Sequence, residues 1–312
     1  MHKFGFVFPG QGSQKLGMLA DLASQYQSVE ATFAEASDAV GLDLWEICQR
    51  DASNNLDQTH ITQPALLAAS VAVWRLWKEN GAPDPAIMAG HSLGEYSALV
   101  CAGVIDFTDA VRLVHKRGQY MQQAVPAGSG AMAAIVGLED YQIREICQQV
   151  ADGQIVSPAN FNSLGQTVIA GESDAVERAM AACKEAGAKR ALPLKVSVPS
   201  HCALMQPAAD RLASDLEALA FRPAIIPVVQ NVNAELATEA ESIKQNLLNQ
   251  LHQPVLWVDS IRLIHQGGIK LLVECGPGKV LCGLIKRIEP GISCFGSDDC
   301  QSFQQAREEV SG

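Results

Sequence analysis

The clearest chemistry in the chain lies at Gly90-His91-Ser92-Leu93-Gly94, a serine set between glycines at G-x-S-x-G spacing. The apolar run 85–89 reads as a short buried strand, and the residues after Gly94 read as a helix. In that context the glycines permit a sharp turn that lifts the serine hydroxyl off a sheet. The backbone N–H of Leu93 then faces an incoming carbonyl. This points to nucleophilic acyl chemistry at Ser92; a serine that only caps the following helix is the competing reading.

A serine hydroxyl is a weak nucleophile at neutral pH and needs a base. Of the seven histidines, His2 is near a chain end, and His60, His252 and His265 sit in polar surroundings. His91 adjoins the nucleophile and lines its surroundings, but it reaches back to the same hydroxyl with difficulty. His115 falls mid-helix. His201 stands apart in Val198-Pro199-Ser200-His201, a constrained turn ahead of a helix expected over 203–219. A helix N-terminus disfavours an imidazolium and keeps the ring able to accept a proton. A hydrolase triad would also place an acid between Ser92 and His201. The acids there, among them Asp106, Asp109, Glu139 and Asp140, read as caps or solvated charge, so a group other than a carboxylate could orient the base.

Arg117 is the most informative charge. On a wheel of residues 110–121 it falls in the middle of the stripe Ala110, Leu113, Val114 and Met121, with Arg112 and Lys116 on the other side. A guanidinium on an apolar stripe must be paired. Two readings stay open: an internal salt bridge to an Asp or Glu, or a clamp for a substrate carboxylate, which an Arg fork matches in bidentate fashion. Gly10-Gln11-Gly12-Ser13-Gln14 follows the first strand and could offer backbone N–H groups to an oxyanion, or be a plain strand-to-helix turn. It lacks the Lys of a phosphate loop and the spacing of a dinucleotide fingerprint.

The elements that position these groups read as α/β. Residues 3–8, 85–89, 226–230 and 269–274 are strand candidates; 18–26, 28–40, 63–79 and 107–122 are helix candidates. Short apolar strands alternating with helices imply a mostly parallel sheet covered on both faces. The stretch 128–196 has a different order: strand 131–136, helix 139–150, strands 154–158 and 167–170, helix 173–186, strand 189–193. This βαββαβ pattern predicts a ferredoxin-like subdomain over 128–196, inserted in a core of residues 1–127 and 197–312. The polar end, 297–312, is expected to be loosely held.

Composition excludes other classes. Over 312 residues, 48% are hydrophobic and 18% charged, which supports a large core and rules out bulk disorder. The net charge of −11 argues against nucleic acid or an anionic membrane as partner. The uncharged runs are interrupted by Gln, Gly, Pro or Asn, so no membrane span is expected, and the apolar run before Pro9-Gly10 is too short for a secretory leader. Nine scattered cysteines with no CxxC pair suggest reduced cytoplasmic thiols rather than disulfides or a zinc site.

Taken together, the chain resembles the malonyl-CoA:acyl carrier protein transacylase family over nearly its whole length. The matching segments are Phe8-Pro9-Gly10-Gln11-Gly12-Ser13-Gln14, Thr62-Gln63-Pro64-Ala65, Gly90-His91-Ser92-Leu93-Gly94-Glu95-Tyr96, Arg117-Gly118 with Met121, Asn162 with Gln166 to Gly171, Val198-Pro199-Ser200-His201, Gln250-Leu251 with Pro254-Val255 and Trp257, and Glu274-Cys275-Gly276-Pro277-Gly278. The resemblance implies an α/β-hydrolase-like core with a ferredoxin-like insertion. It implies ping-pong transfer from malonyl-CoA to the phosphopantetheine thiol of acyl carrier protein, in fatty acid biosynthesis, with no cofactor and no metal. Ser92 would be the nucleophile and His201 the base. The N–H groups of Gln11 and Leu93 would hold the oxyanion, Arg117 would bind the malonyl carboxylate, and the main-chain carbonyl of Gln250 would orient His201. Leu93 fits malonyl selection. Ser200 stands where malonyl-selective polyketide synthase domains often have Phe, but stand-alone enzymes of the family tolerate Ser there, so with Leu93 methylmalonyl is disfavoured and not excluded. A cytoplasmic monomer is expected, docking its acidic carrier on a local basic patch such as Lys184, Lys189, Arg190 and Lys195, or Lys286 and Arg287. A serine esterase or thioesterase, and a non-catalytic carrier-binding protein, are the rival classes.

Overall fold

The computed structural model describes residues 3–196 and 198–312; His2 lies outside them. Ten strands occur in chain order: β1 Gly5–Phe8, β2 Ile87–Gly90, β3 Gly130–Val136, β4 Val156–Ser163, β5 Gln166–Glu172, β6 Arg190–Pro193, β7 Val228–Val229, β8 Leu236–Ala237, β9 Leu271–Glu274 and β10 Ser293–Gly296. They form two sheets. The first has the order β10-β9-β1-β2-β7-β8 and is parallel except for the β7–β8 pair. Every residue of β1 is buried, as a strand covered by helices on both faces requires.

The second sheet, β4-β5-β3-β6, is antiparallel throughout and carries the helices Asp140–Val150 and Ser173–Glu185. Its βαββαβ order is the ferredoxin-like arrangement expected from the sequence. It is tied to the first unit beside the loop that follows the helix Ala240–His252. Phe161 N–H donates to Val255 O at 3.0 Å, and Val255 N–H donates to Ala159 O at 2.9 Å.

Two helices bring distant segments of the site together. The helix Thr59–Glu79 packs on Phe107–Ala124 so closely at Gly118 that a Cβ there would lie 2.4 Å from His60 Cα. Pro64 has no N–H to give the carbonyl four residues before it. That carbonyl, His60 O, instead accepts His115 Nδ1–H from the neighbouring helix at 2.7 Å. Gln63 and Arg117 are thereby held side by side.

Two expectations fail. The end of the chain is not loose: Cys300–Ser311 is a helix, capped by Asp299, that buries Phe303, Ala306 and Val310. Phe303 stands edge-on to Trp77 at 6.0 Å between ring centroids. Its apolar residues are few but fall at helical spacing, which the overall polarity of the segment conceals. The thiols are also not all free. Cys282, in the helix Val280–Ile288, and Cys294 on β10 form a disulfide, with Cα atoms 5.1 Å apart. Twelve residues of separation do not disclose that this helix and the edge strand lie side by side. Six of the other seven cysteines are buried. Among the described residues, no helix is long and apolar enough to cross a membrane.

Candidate active site

Strand β2 ends at Gly90, and the helix Leu93–Cys101 begins three residues later. Ser92 sits between them at φ 52° and ψ −109°, left-handed backbone that a non-glycine residue adopts only under constraint. The crossing leaves no space for side chains. A Cβ at Gly94 would lie 2.0 Å from Phe8 O, and one at Gly90 would lie 1.9 Å from Gly94 C. The sharp turn read from the sequence is therefore present, and the glycines are needed for close approach.

Ser92 Oγ lies 2.8 Å from His201 Nε2, and His201 Nδ1 lies 2.6 Å from the main-chain oxygen of Gln250. A carbonyl only accepts, so Nδ1 carries the ring proton and Nε2 is free to accept the hydroxyl proton. No carboxylate hydrogen-bonds the ring among the described residues, in keeping with the absent triad acid. His201 is buried, and its pKa is pushed down to about 3. Burial is the main cause; the charge of Arg117 adds to it, and the Gln250 carbonyl opposes it. The ring stays neutral for these reasons rather than by a helix N-terminus. The three-residue turn Ala203–Met205 separates it from the helix Gln206–Ala218.

Arg117 is 1% exposed and has no ion pair with a carboxylate among the described residues. Its Nη1 donates to Gln63 Oε1 at 2.8 Å, its Nη2 donates to Gln250 Oε1 at 2.9 Å, and its Nε–H has no acceptor among the described residues. The guanidinium carbon lies 5.3 Å from the centre of the Tyr96 ring. Amides and an aromatic face fix the group in place without neutralising it, and one N–H on each terminal nitrogen is left without an acceptor among the described residues.

Ser92, His201 and Arg117 line one cavity of about 350 Å³ between the two sheets. Gln11 and Leu93 also line it. Gly12 N–H is taken by Gln14 Oε1, and Gly94 N–H by His91 O. The N–H groups of Gln11 and Leu93 have no acceptor among the described residues. The second sheet contributes Met132, Val168 and Asn162, the last 2.7 Å from His91 Nε2. Ser200 lines the cavity, and so does Lys195, alone among the expected docking cations. Lys184, Lys189, Arg190, Lys286 and Arg287 are exposed elsewhere. His60, His115, His252 and His265 lie outside the cavity lining.

Sequence reasoning gave no role to Asn231, Glu95 or the side chain of Gln250. Asn231 follows the two-residue strand β7, and no local pattern marks it. Glu95 had a signal: it is the only charge in the nine-residue helix Leu93–Cys101, which is buried nearly all round.

The arrangement has known counterparts. Residues 5–288 match the family described as acyl transferase domain. The malonyl CoA-acyl carrier protein transacylase of Escherichia coli K12 is 60% identical over 308 residues, 99% of this chain and 100% of that protein. The solved structure of malonyl CoA-acyl carrier protein transacylase from Coxiella burnetii is 51% identical with a TM-score of 0.98, covering 100% of this chain and 98% of that one. Another, a malonyl-transacylase in complex with a type II polyketide synthase acyl-carrier protein, is 58% identical with a TM-score of 0.97, covering 98% and 99%. Likeness at this level over full length, together with a serine turn facing a buried arginine, means that the chain belongs to the malonyl CoA-acyl carrier protein transacylase family of acyl transferases.

Proposed function

We propose that the chain transfers the malonyl group of malonyl-CoA to the phosphopantetheine thiol of acyl carrier protein, through a malonyl ester on Ser92, and so supplies fatty acid synthesis. The observation that carries this reading is the Ser92–His201 hydrogen bond at 2.8 Å opening on the cavity where Arg117 has no carboxylate partner among the described residues. Ser92 Oγ attacks the thioester carbonyl as its proton passes to His201 Nε2. The N–H groups of Gln11 and Leu93 receive the developing oxyanion, a good donor being worth about 3–4 kcal/mol. Collapse expels the CoA sulfur, which takes the proton back from His201. The carrier thiol then enters and the same steps run in reverse order. Arg117 binds the distal carboxylate, and the Gln250 carbonyl fixes the tautomer of His201. Exchange between a thioester and an ester asks for no redox step, so we assign no cofactor. We assign the reaction to a cytoplasmic monomer.

The test is mass spectrometry after brief mixing with malonyl-CoA and no acceptor. A transferase stops near one malonyl group per chain, on the peptide holding Ser92. Continuous release of free malonate would make the chain a hydrolase, and absence of any adduct or turnover would leave it a binding protein.

A further inference from the structure

Ser92, His201 and Arg117 come from three separate segments, and one buried set of polar groups joins all three. Asn231 Oδ1 accepts the Ser92 N–H at 2.7 Å, and Asn231 Nδ2 donates to Gly90 O at 2.7 Å, so a single amide spans the strained turn. Gln250 Nε2 donates to Ser92 O at 3.0 Å. The same Gln250 holds Arg117 with its side-chain oxygen and His201 with its main-chain oxygen.

Asn231 and Gln250 meet at one carboxyl oxygen. Glu95 Oε2 accepts the Asn231 N–H at 3.1 Å and Gln250 Nε2–H at 2.8 Å. Glu95 is fully buried, and its Oε1 has no partner among the described residues. A buried carboxyl with an unpartnered oxygen is costly, so it calls for an explanation. Glu95 is not among the residues that line the cavity, and its carboxyl makes no hydrogen bond to Ser92 Oγ, His201 or Arg117 among the described residues.

We propose that Glu95 is a positioning residue, which through Asn231 sets the Ser92 turn and through Gln250 sets the spacing of that turn from Arg117. This rests on the acyl transfer reading above. Of the two amides, Asn231 bonds the turn at 2.7 Å and reaches Gln250 only at 3.5 Å, whereas Gln250 serves both the turn and the carboxylate clamp. Loss of each should therefore leave a different kinetic signature.

The experiment measures the rate of Ser92 malonylation and the half-saturating malonyl-CoA concentration in four proteins: wild type, Glu95→Ala, Glu95→Gln and Asn231→Ala. Folded fraction is checked by near-UV circular dichroism. Glu95→Ala is expected to slow acylation about thirty-fold or more, within the hundred-fold loss that a small misplacement can cause, and also to raise the half-saturating concentration. Asn231→Ala should slow acylation without moving that concentration, because Gln63 and Gln250 still hold Arg117. Glu95→Gln retains an oxygen that can accept both hydrogen bonds and should stay within about three-fold of wild type. The proposal is overturned if Glu95→Ala acylates normally, if Glu95→Gln is as slow as Glu95→Ala, or if every loss equals the loss of folded protein. If Glu95→Ala does not fold, the other two variants decide: near-normal Glu95→Gln with slow, normally saturating Asn231→Ala supports it, and any other pairing sinks it. A wild-type chain that is not acylated at Ser92 would refute the transfer reading itself, and this inference with it.

Discussion

The main-chain oxygen of Gln250 lies 2.6 Å from Nδ1 of His201, and it occupies the place where a triad enzyme has a carboxylate. A neutral carbonyl fixes the ring tautomer without adding negative charge. His201 is therefore free to be held at about 3 by burial and by Arg117. The acylation profile should show it. In the proposed mechanism the neutral ring is the active form, so kcat/KM with malonyl-CoA should stay level between about pH 5 and 8, with no inflection near the ordinary histidine value. Stability has the same sign. A folded pKa below the unfolded one contributes stability that is complete above about 6.5 and is lost as pH falls through about 3. An inflection near 6.5 in single-turnover acylation would contradict this account of the ring.

Replacing Ser92 and His201, the two side chains proposed to react, should separate their roles. Ser92→Ala should abolish both covalent labelling and transfer. His201→Ala should keep the site of labelling but slow acylation by about two orders of magnitude or more, the loss expected for a general base. Stopped single turnovers with peptide mapping measure both. A malonyl group on Cys101 or Cys202 would mean another nucleophile. A near-normal rate in His201→Ala would shift the base to His91, which lines the same cavity.

The turn at Ser92, the stripe that buries Arg117 and the two sheet types were legible because each is written locally: glycines around a serine, helical spacing, and the switch from βα alternation to βαββαβ. The base was legible only in part. His201 stood out by its constrained turn, but its partner Gln250 lies 49 residues away and acts through main chain, which no side-chain pattern can announce. Asn231 was hidden for a related reason, since a lone amide after a two-residue strand has no periodicity to betray it. The disulfide between Cys282 and Cys294 and the docked last helix depend on neighbours brought together only by the tertiary fold.

Glu95 should weigh on stability in the direction opposite to His201. Burial raises its pKa from 4.5 to about 7, against the Gln250 amide, the Asn231 N–H and the charge of Arg117, which lower it. A folded pKa above the unfolded one gives stability that is present below about 4.5 and lost as pH rises through about 7. Glu95→Gln, which cannot ionise, should therefore gain on wild type as pH rises. The relative gain between pH 5 and 8 should be of the order of 3 kcal/mol at most, from roughly 1.4 kcal/mol per pKa unit. Thermal melts of both proteins at the two pH values measure it. A difference that does not grow with pH would mean that Glu95 is already ionised at low pH.

In the proposed transfer, Arg117 would decide which acyl group the site accepts. Malonyl and acetyl thioesters differ by one carboxylate, and the guanidinium is buried among amides with no negative partner hydrogen-bonded to it among the described residues. A bound malonyl carboxylate can take two of the remaining N–H bonds, each charged hydrogen bond contributing about 1.5–3 kcal/mol. An acetyl group leaves the charge unmatched. It also leaves His201 under the full influence of Arg117, which lowers the basicity of the ring. Both effects favour malonyl, so discrimination should be on the order of two to four powers of ten in kcat/KM. Arg117→Ala should lose most malonyl transfer while keeping or raising acetyl transfer, because the unmatched charge is gone and His201 becomes more basic. Arg117→Lys should recover only part, since an ammonium cannot span Gln63, Gln250 and a carboxylate at once. The measurement is kcat/KM for malonyl-CoA and acetyl-CoA in the three proteins, with melting temperature as control. Equal depression of both substrates in Arg117→Ala, or loss of the fold, would show that the arginine serves the packing of the Gln63 and Gln250 amides rather than the substrate.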